Sequence, residues 1–310
     1  MFLFFPQKLL KKQVNERSYI RPPAAAGMFY PEEADQLRNE VSGLVASELP
    51  AQLNGLLCAI VVPHAGYMYS GYTAARAFAL LREVKIETIV LVGPSHREYF
   101  DGISVFPGAA YQTPLGTVFV DEEMREAMLT SAAAGSLVAS SIQGHRNEHS
   151  LEVQLPFLQH VAREIKILPI IMGDQRRSYC MRLAEILSAV VREKSVLLLA
   201  SSDLSHYHSY ETARTLDANV ISSLQRLDEE RLMHDLEAEQ AEACGGGPMV
   251  AVMSAAKMMG ADSCSILHSC NSGDVSGDRD TVVGYVSAAL FRTSPLAGGR
   301  TRSSLTGFST

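Results

Sequence analysis

The sequence predicts an α/β fold, with a mostly parallel central sheet flanked by helices on both faces, and three observations lead there. Short apolar runs with the β-branched bias of buried strands recur along the chain. Amphipathic stretches, whose apolar positions return every three or four residues, lie between them. The composition is 47% hydrophobic and 20% charged over 310 residues, which is enough apolar surface to build a core. Alternation of strand and helix requires crossover connections, and these place helices on both faces of a parallel sheet.

Taken in order, residues 1–20 carry little pattern and are expected to form an N-terminal extension. EEADQLRNEVSGLV at 32–45 predicts the first helix, LLCAIVV at 56–62 a buried strand, SGYTAARAFALLREV at 70–84 a helix and ETIVLVG at 87–93 a second strand. ISVFP at 103–107 and GTVFVD at 116–121 are short and separated by Gly and Pro, so they predict a small hairpin inserted into the main fold. HRNEHSLEVQLPFLQH at 145–160 leads into another helix, with Glu148 and Glu152 near its start where acids suit the helix dipole. IKILPIIM at 165–172 and SVLLLAS at 195–201 predict strands on either side of the helix SYCMRLAEILSAVV at 178–191. ETARTLDANVISSLQ at 211–225 and the apolar PMVAVMSAAKMM read as helices, and TVVGYVSAAL at 281–290 as the last strand. No linker divides residues 21–292, which are expected to be one domain, and 293–310, rich in Gly, Ser and Thr, a flexible tail.

Charge and cysteine usage narrow the function. Lys plus Arg is 27 against 34 for Asp plus Glu, a formal charge of −7, so general attraction to nucleic acid or anionic lipid is absent and neither partner is expected. Five cysteines without a C-x-x-C pair suggest neither a disulfide framework nor a zinc ribbon. In MFLFFPQKLLKK the basic residues follow the apolar run, the reverse of an export signal, and no apolar stretch is long enough to cross a bilayer. A cytoplasmic protein is expected.

The chemistry concentrates just after the strands. The first strand runs into PHAGYMYSG with His64, the second into GPSH with His96, and SVLLLAS into SDLSHYH with Asp203, His206 and His208. Carboxyl ends of parallel strands line the crevice where ligands bind, so these distant loops are expected to converge. One such histidine is commonly structural, but several in equivalent positions suit a divalent metal held by imidazoles and one anionic ligand. Asp203 and Cys244 are candidates for that anion. Cys244 opens CGGGPM ahead of a helix, where the dipole is expected to lower a thiol pKa; the alternative is a small buried filler beside a tight loop. His149, next to Glu148, is a candidate base. No H-E-x-x-H, G-x-S-x-G, Walker or G-x-G-x-x-G motif occurs, which demotes zincin, serine-hydrolase, nucleotide and dinucleotide chemistries.

Seven segments, PAAAGMFYP (23–31), VVPHAGYMYSG (61–71), LVGPSH (91–96), TPLG (113–116), EHSLEVQLPFLQ (148–159), SSDLSHY (201–207) and CGGGP (244–248), together resemble the Memo family, whose bacterial members are called AmmeMemoRadiSam system protein B. The resemblance spans about residues 20–292. It implies a fold similar to the class III non-haem iron extradiol dioxygenases, with His64, His96 and Cys244 as metal ligands and Asp203, His206 and His149 as pocket residues that orient ligands or move protons. Those dioxygenases use two histidines and a carboxylate, so a thiolate in the third place separates their ring-cleaving activity from what can be expected here. Expected cofactors are Fe(II) or Cu, with Zn also suited to a Cys-His set. Expected function is a metal-dependent, dioxygenase-like redox enzyme acting on a small molecule. The alternative is a non-enzymatic adaptor that binds peptides or phosphopeptides in the same pocket, as animal members are described. The bacterial name further implies AMMECR1-type and radical SAM pathway partners.

Overall fold

Apolar side chains that alternate along a strand point to opposite sides of a sheet, so burying all of them takes a layer of helix on each side. That requirement organises the computed structural model, which describes residues 16–46, 53–132, 137–162, 164–191 and 195–293. The first part of the chain forms β1 (Ile20–Arg21), α1 (Ala34–Ala46), β2 (Gly55–Val62), α2 (Tyr72–Ala79), β3 (Thr88–Pro94) and β4 (Ile103–Val105). Next come β5 (Ala110–Thr113), β6 (Gly116–Phe119), α3 (Glu122–Ala132), β7 (Val138–Ser140), α4 (Leu155–Val161) and β8 (Lys166–Met172). The chain continues through α5 (Arg177–Val191), β9 (Val196–Ser201), β10 (His206–His208), α6 (Tyr210–Gln225) and α7 (Glu229–Glu237). It ends with α8 (Gly246–Met258), β11 (Ser263–Asn271), α9 (Ser272–Ser276) and β12 (Val282–Thr293).

The centre of the main sheet is parallel, in the order β2-β9-β3-β8. At the margins β12 lies antiparallel on β2 and carries β10 and β11, each antiparallel to it, while β4 lies antiparallel on β8 and carries β7 parallel to itself. On the central strands Leu197, Leu199, Ile89 and Leu91 face one core with α1, α2 and α4. Leu198, Ala200, Val90 and Val92 face the other with α3, α5, α6, α7 and α8. Helix α8 is buried along Gly246–Ala256, which explains why it reads as apolar all round rather than as amphipathic. Among the described residues no helix is long and apolar enough to cross a membrane.

Two expectations change. ISVFP does not pair with GTVFVD: β4 joins the main sheet beside β8, and the hairpin is β5 with β6, extended by β1 into a separate three-stranded sheet. The reason is burial, since all of Ile103–Val105 is buried whereas β6 buries Val118 alone, and a small surface hairpin has no second layer to cover a strand buried on both faces. Of the ends expected to be loose, 1–15 and 294–310 lie outside the described residues. Glu16–Ser18 forms a 3-10 turn, and Ile20 pairs with Ala110.

The central order also positions the site. The chain crosses from β2 through α2 to β3 without filling the place between them, and β9 enters that place later. Three neighbouring parallel strands therefore end together, delivering Pro63-His64, Ser202-Asp203 and Ser95-His96 to one edge. Leu199, fully buried in the middle strand of the three, tests this packing. Leu199→Ala is expected to cost about 2–5 kcal/mol, seen in chemical denaturation as a lower midpoint at unchanged slope. A cost of a few tenths would contradict a two-sided core at β9.

Candidate metal centre

His64 leaves β2 fully buried and is held from both sides. Its backbone N–H donates to Asp203 Oδ1 at 2.7 Å, and its Nδ1 lies 2.9 Å from Ser201 Oγ. Ser201 donates its one proton to Ser150 O at 2.7 Å and accepts from Gln154 Nε2 at 2.9 Å, so the proton of the imidazole contact must sit on His64 Nδ1. His64 Nε2 then carries the lone pair and faces Cys244 Sγ at 3.1 Å.

His96 is oriented by a buried acid. Its Nδ1 donates to Glu148 Oε1 at 2.9 Å and its backbone N–H to Glu148 Oε2 at 2.6 Å, leaving Nε2 as the acceptor. The same carboxylate accepts from the backbone N–H of His149 at 3.0 Å and of Ser150 at 2.9 Å. Burial opposes the charged carboxylate, but the His96 hydrogen bonds and the neighbouring rings of His96 and His149 hold Glu148 down to about 2. The expectation that Glu148 and Glu152 serve the dipole of α4 is thereby corrected. Both are buried, and each is committed to several donors of its own.

His149 completes the group. Its ring stacks on Phe29 at 4.3 Å and lies 4.7 Å from the His96 ring and 5.3 Å from the His64 ring. One ring nitrogen from each of His64, His96 and His149 falls within 4.8 Å of the others, the one such group of potential ligands among the described residues. His149 Nδ1 is buried without a hydrogen-bond partner, 3.2 Å from Glu148 Oε1. Burial, reinforced by the neighbouring imidazoles, lowers His64 well below the usual histidine range and His149 to about 3. These side chains fit a metal ion, with imidazole nitrogens gathered in one place, a hydroxyl partner behind His64 and a carboxylate partner behind His96.

The remaining predicted residues divide. Cys244 lies against His64, and Asp203 N donates to its Sγ at 3.3 Å. Its thiol is pushed up by burial and by the Asp203 carboxylate, which overturns the lowered pKa expected from a helix start: the sulfur turns inward, away from water. The glycines after it allow this approach, since a Cβ at Gly245 would come within 2.3 Å of Ser201 O. Asp203 is buried, and burial raises it to about 6 even though the His64 and Ala65 N–H groups stabilise its charge. His206 is not hydrogen-bonded to the cluster; Nδ1 contacts Leu204 O at 2.7 Å and its N–H donates to Glu242 Oε1 at 3.0 Å. His208 Nε2 pairs with Glu242 at 2.6 Å. The sequence reading missed Ser201, Gln154 and Phe29 as supports; of these only Ser201, at the end of a strand leading to Asp203, left a positional signal.

Comparison with known proteins shows a family and a likeness of fold. A family profile described as "Memo-like protein" matches residues 21–289. A MEMO1 family protein of Methanosarcina mazei is 41% identical over 273 residues, 86% of this chain and 97% of that protein. Another, from Aquifex aeolicus, is 39% identical over 269 residues, again 86% of this chain and 97% of that protein. The crystal structure of an uncharacterized protein from Escherichia coli K12 has a TM-score of 0.56 at 14% identity, covering 75% of this chain and 99% of that one, a likeness of fold.

Because His149 stays neutral in the fold until about pH 3 but gains a proton at about 6.5 when unfolded, the unfolded chain binds more protons between these values and stability falls with falling pH. His149→Phe in metal-free protein is expected to reduce that acid-side loss by about one proton per molecule. Urea denaturation of both proteins at pH 7 and pH 5 checks it, and identical pH slopes would contradict a neutral His149.

Proposed function

The chain belongs to the Memo family, and from the chemistry of its histidine cluster we propose that it is a metal-dependent redox enzyme of the non-haem type. The observation that carries the reading is the convergence of His64, His96 and His149, with the protons of His64 and His96 directed away from the shared centre by Ser201 and Glu148. In this reading His64 and His96 are ligands, His149 adds a third imidazole, and the Cys244 thiol at His64 joins as thiolate when a cation is present. A soft sulfur beside imidazoles favours Fe(II) or Cu, although a Cys-His set also suits Zn. Fe(II) or Cu, unlike redox-inert Zn, would supply one-electron chemistry toward dioxygen or an oxidisable small molecule.

The chain's own residues handle protons and position. Asp203, raised by burial to about 6, exchanges a proton near neutral pH, and its backbone contacts keep His64 in place. His206, half-buried on β10 and acting electrostatically on His64 and Asp203, is assigned the passage of protons between pocket and water in this reading.

A second reading, an adaptor that captures a peptide, draws on one observation. The four most exposed large apolar side chains among the described residues are Tyr99 (80%), Tyr207 (76%), Met28 (72%) and Met68 (70%). Each lies within four residues of His96, His206, Phe29 or His64. Exposed apolar side chains this close in sequence to the cluster residues suit a polypeptide ligand.

Anaerobic reconstitution separates the readings. About one Fe(II) or Cu(I) per chain is expected, lost in His64→Ala and weakened about 10–100-fold in Glu148→Gln. Failure of the wild type to bind Fe(II), Cu(I) or Zn(II) would end the enzyme proposal. In calorimetry with chelated protein, retained affinity for a phosphotyrosine peptide, reduced by Tyr207→Ser, would favour the adaptor instead.

A further inference from the structure

Arg21 and Glu152 meet at 2.5 Å with no side-chain surface exposed on either. A buried pair of this kind adds little stability over apolar side chains of equal volume, because both charges leave water. Its contacts point to a positional role. Beyond its own segment Arg21 donates only to residues 145–152: Nε to His145 O, Nη2 to Glu148 O and Nη1 to Glu152. Glu152 returns the contact along the N-terminal segment, accepting from Ala24 N and Ala25 N at 2.8 Å each and from Tyr30 OH at 2.5 Å.

The two segments joined in this way are those that set the histidine cluster. Residues 145–152 carry His149 and the Glu148 carboxylate that orients His96. Residues 21–30 carry Phe29, whose ring covers His149 and whose carbonyl accepts from Tyr67 N at 2.8 Å, in the loop that follows His64. Gly27, at φ +77°, makes the turn that brings Phe29 back over the site. We propose that the Arg21–Glu152 pair is a positioning device, locking the N-terminal strap to the 145–152 segment so that Phe29 holds the His149 ring and Glu148 holds the His96 ring in register. Arg21 and Glu152 touch no ligand themselves. The strap covers one face of the His149 ring, and among the three imidazoles His96 keeps the most exposed side chain.

The inference rests in part on the metal reading, so the test has two independent readouts on the full chain. The variants are Glu152→Gln, Arg21→Lys and Phe29→Leu. The control is Arg125→Lys, which alters another buried arginine that bonds Pro107 O and Gly108 O outside the strap. The first readout is the side-chain NMR signals of His149 in metal-free protein, expected to move in the three test variants and not in the control. The second is Co(II) affinity and its visible absorption spectrum, expected to show about tenfold weaker binding and an altered band pattern in Glu152→Gln and Phe29→Leu, with the double variant no weaker than the poorer single one. Wild-type His149 signals and an unchanged Co(II) spectrum in Glu152→Gln, despite a lower melting temperature, would overturn the proposal and leave the pair merely structural. If the wild type binds no Co(II), the metal reading fails on its own and the His149 signals still decide. If Glu152→Gln does not fold, Arg21→Lys, which keeps the charge but loses the forked donors, carries the same comparison.

Discussion

A carboxylate almost without exposed surface must find hydrogen-bond donors or lose its charge, and Glu148 meets that demand by drawing the site around itself. Two donors come from His96, one from the backbone of His149 and one from Ser150. Satisfying one acid therefore sets a ring orientation, a proton position and the path of the chain that presents a third ring. Ser150 extends the effect, because its carbonyl accepts from Ser201, which holds His64. The rings of His64 and His96 and the backbone of His149 thus belong to one connected network, and disturbing Glu148, Ser150 or Ser201 leaves a buried polar group unpaired.

Strand order and loop structure share the work differently. The parallel centre of the sheet brings His64, Asp203 and His96 to neighbouring strand ends, which needs only correct topology. His149 has no strand of its own; it arrives on the segment between β7 and α4, and its place depends on Glu148 behind it and Phe29 against its ring. Geometry supplied by the sheet is robust to local change, while geometry supplied by that segment depends on long-range polar contacts.

This division explains what the sequence revealed. Apolar runs and their spacing identified β2, β3, β8, β9 and β12, and with them the strand-end residues His64, His96 and Asp203. His149 was visible as a base beside an acid, but its membership of a three-histidine group was not, because nothing local indicates that residues 64, 96 and 149 meet. Glu148 and Glu152 read as helix-start acids since sequence reports neighbours along the chain, whereas their partners lie on other segments: Glu152 bonds Arg21, 131 residues away. The lowered thiol pKa expected at Cys244 failed for the same reason. A thiol ahead of a helix is stabilised as thiolate only where solvent and dipole act on it, and here burial against Asp203 dominates.

The electrostatics of the cluster bear on which ligand it suits. At neutral pH the rings of His64 and His149 are uncharged, since burial disfavours their protonated forms, and Glu148 behind them is ionised. A phosphate group entering the centre would face lone pairs and a nearby carboxylate, with Arg97, exposed and acting on His149 from outside, as a cation at the margin. A divalent cation in the same place would meet the lone pairs directly and be attracted by Glu148 through the His96 ring. It would also relieve the cost of ionising Cys244, because a thiolate disfavoured by burial alone is stabilised once a positive charge stands beside it. The arrangement that makes an anion unwelcome among the histidines is thus the one that makes a metal ion favourable.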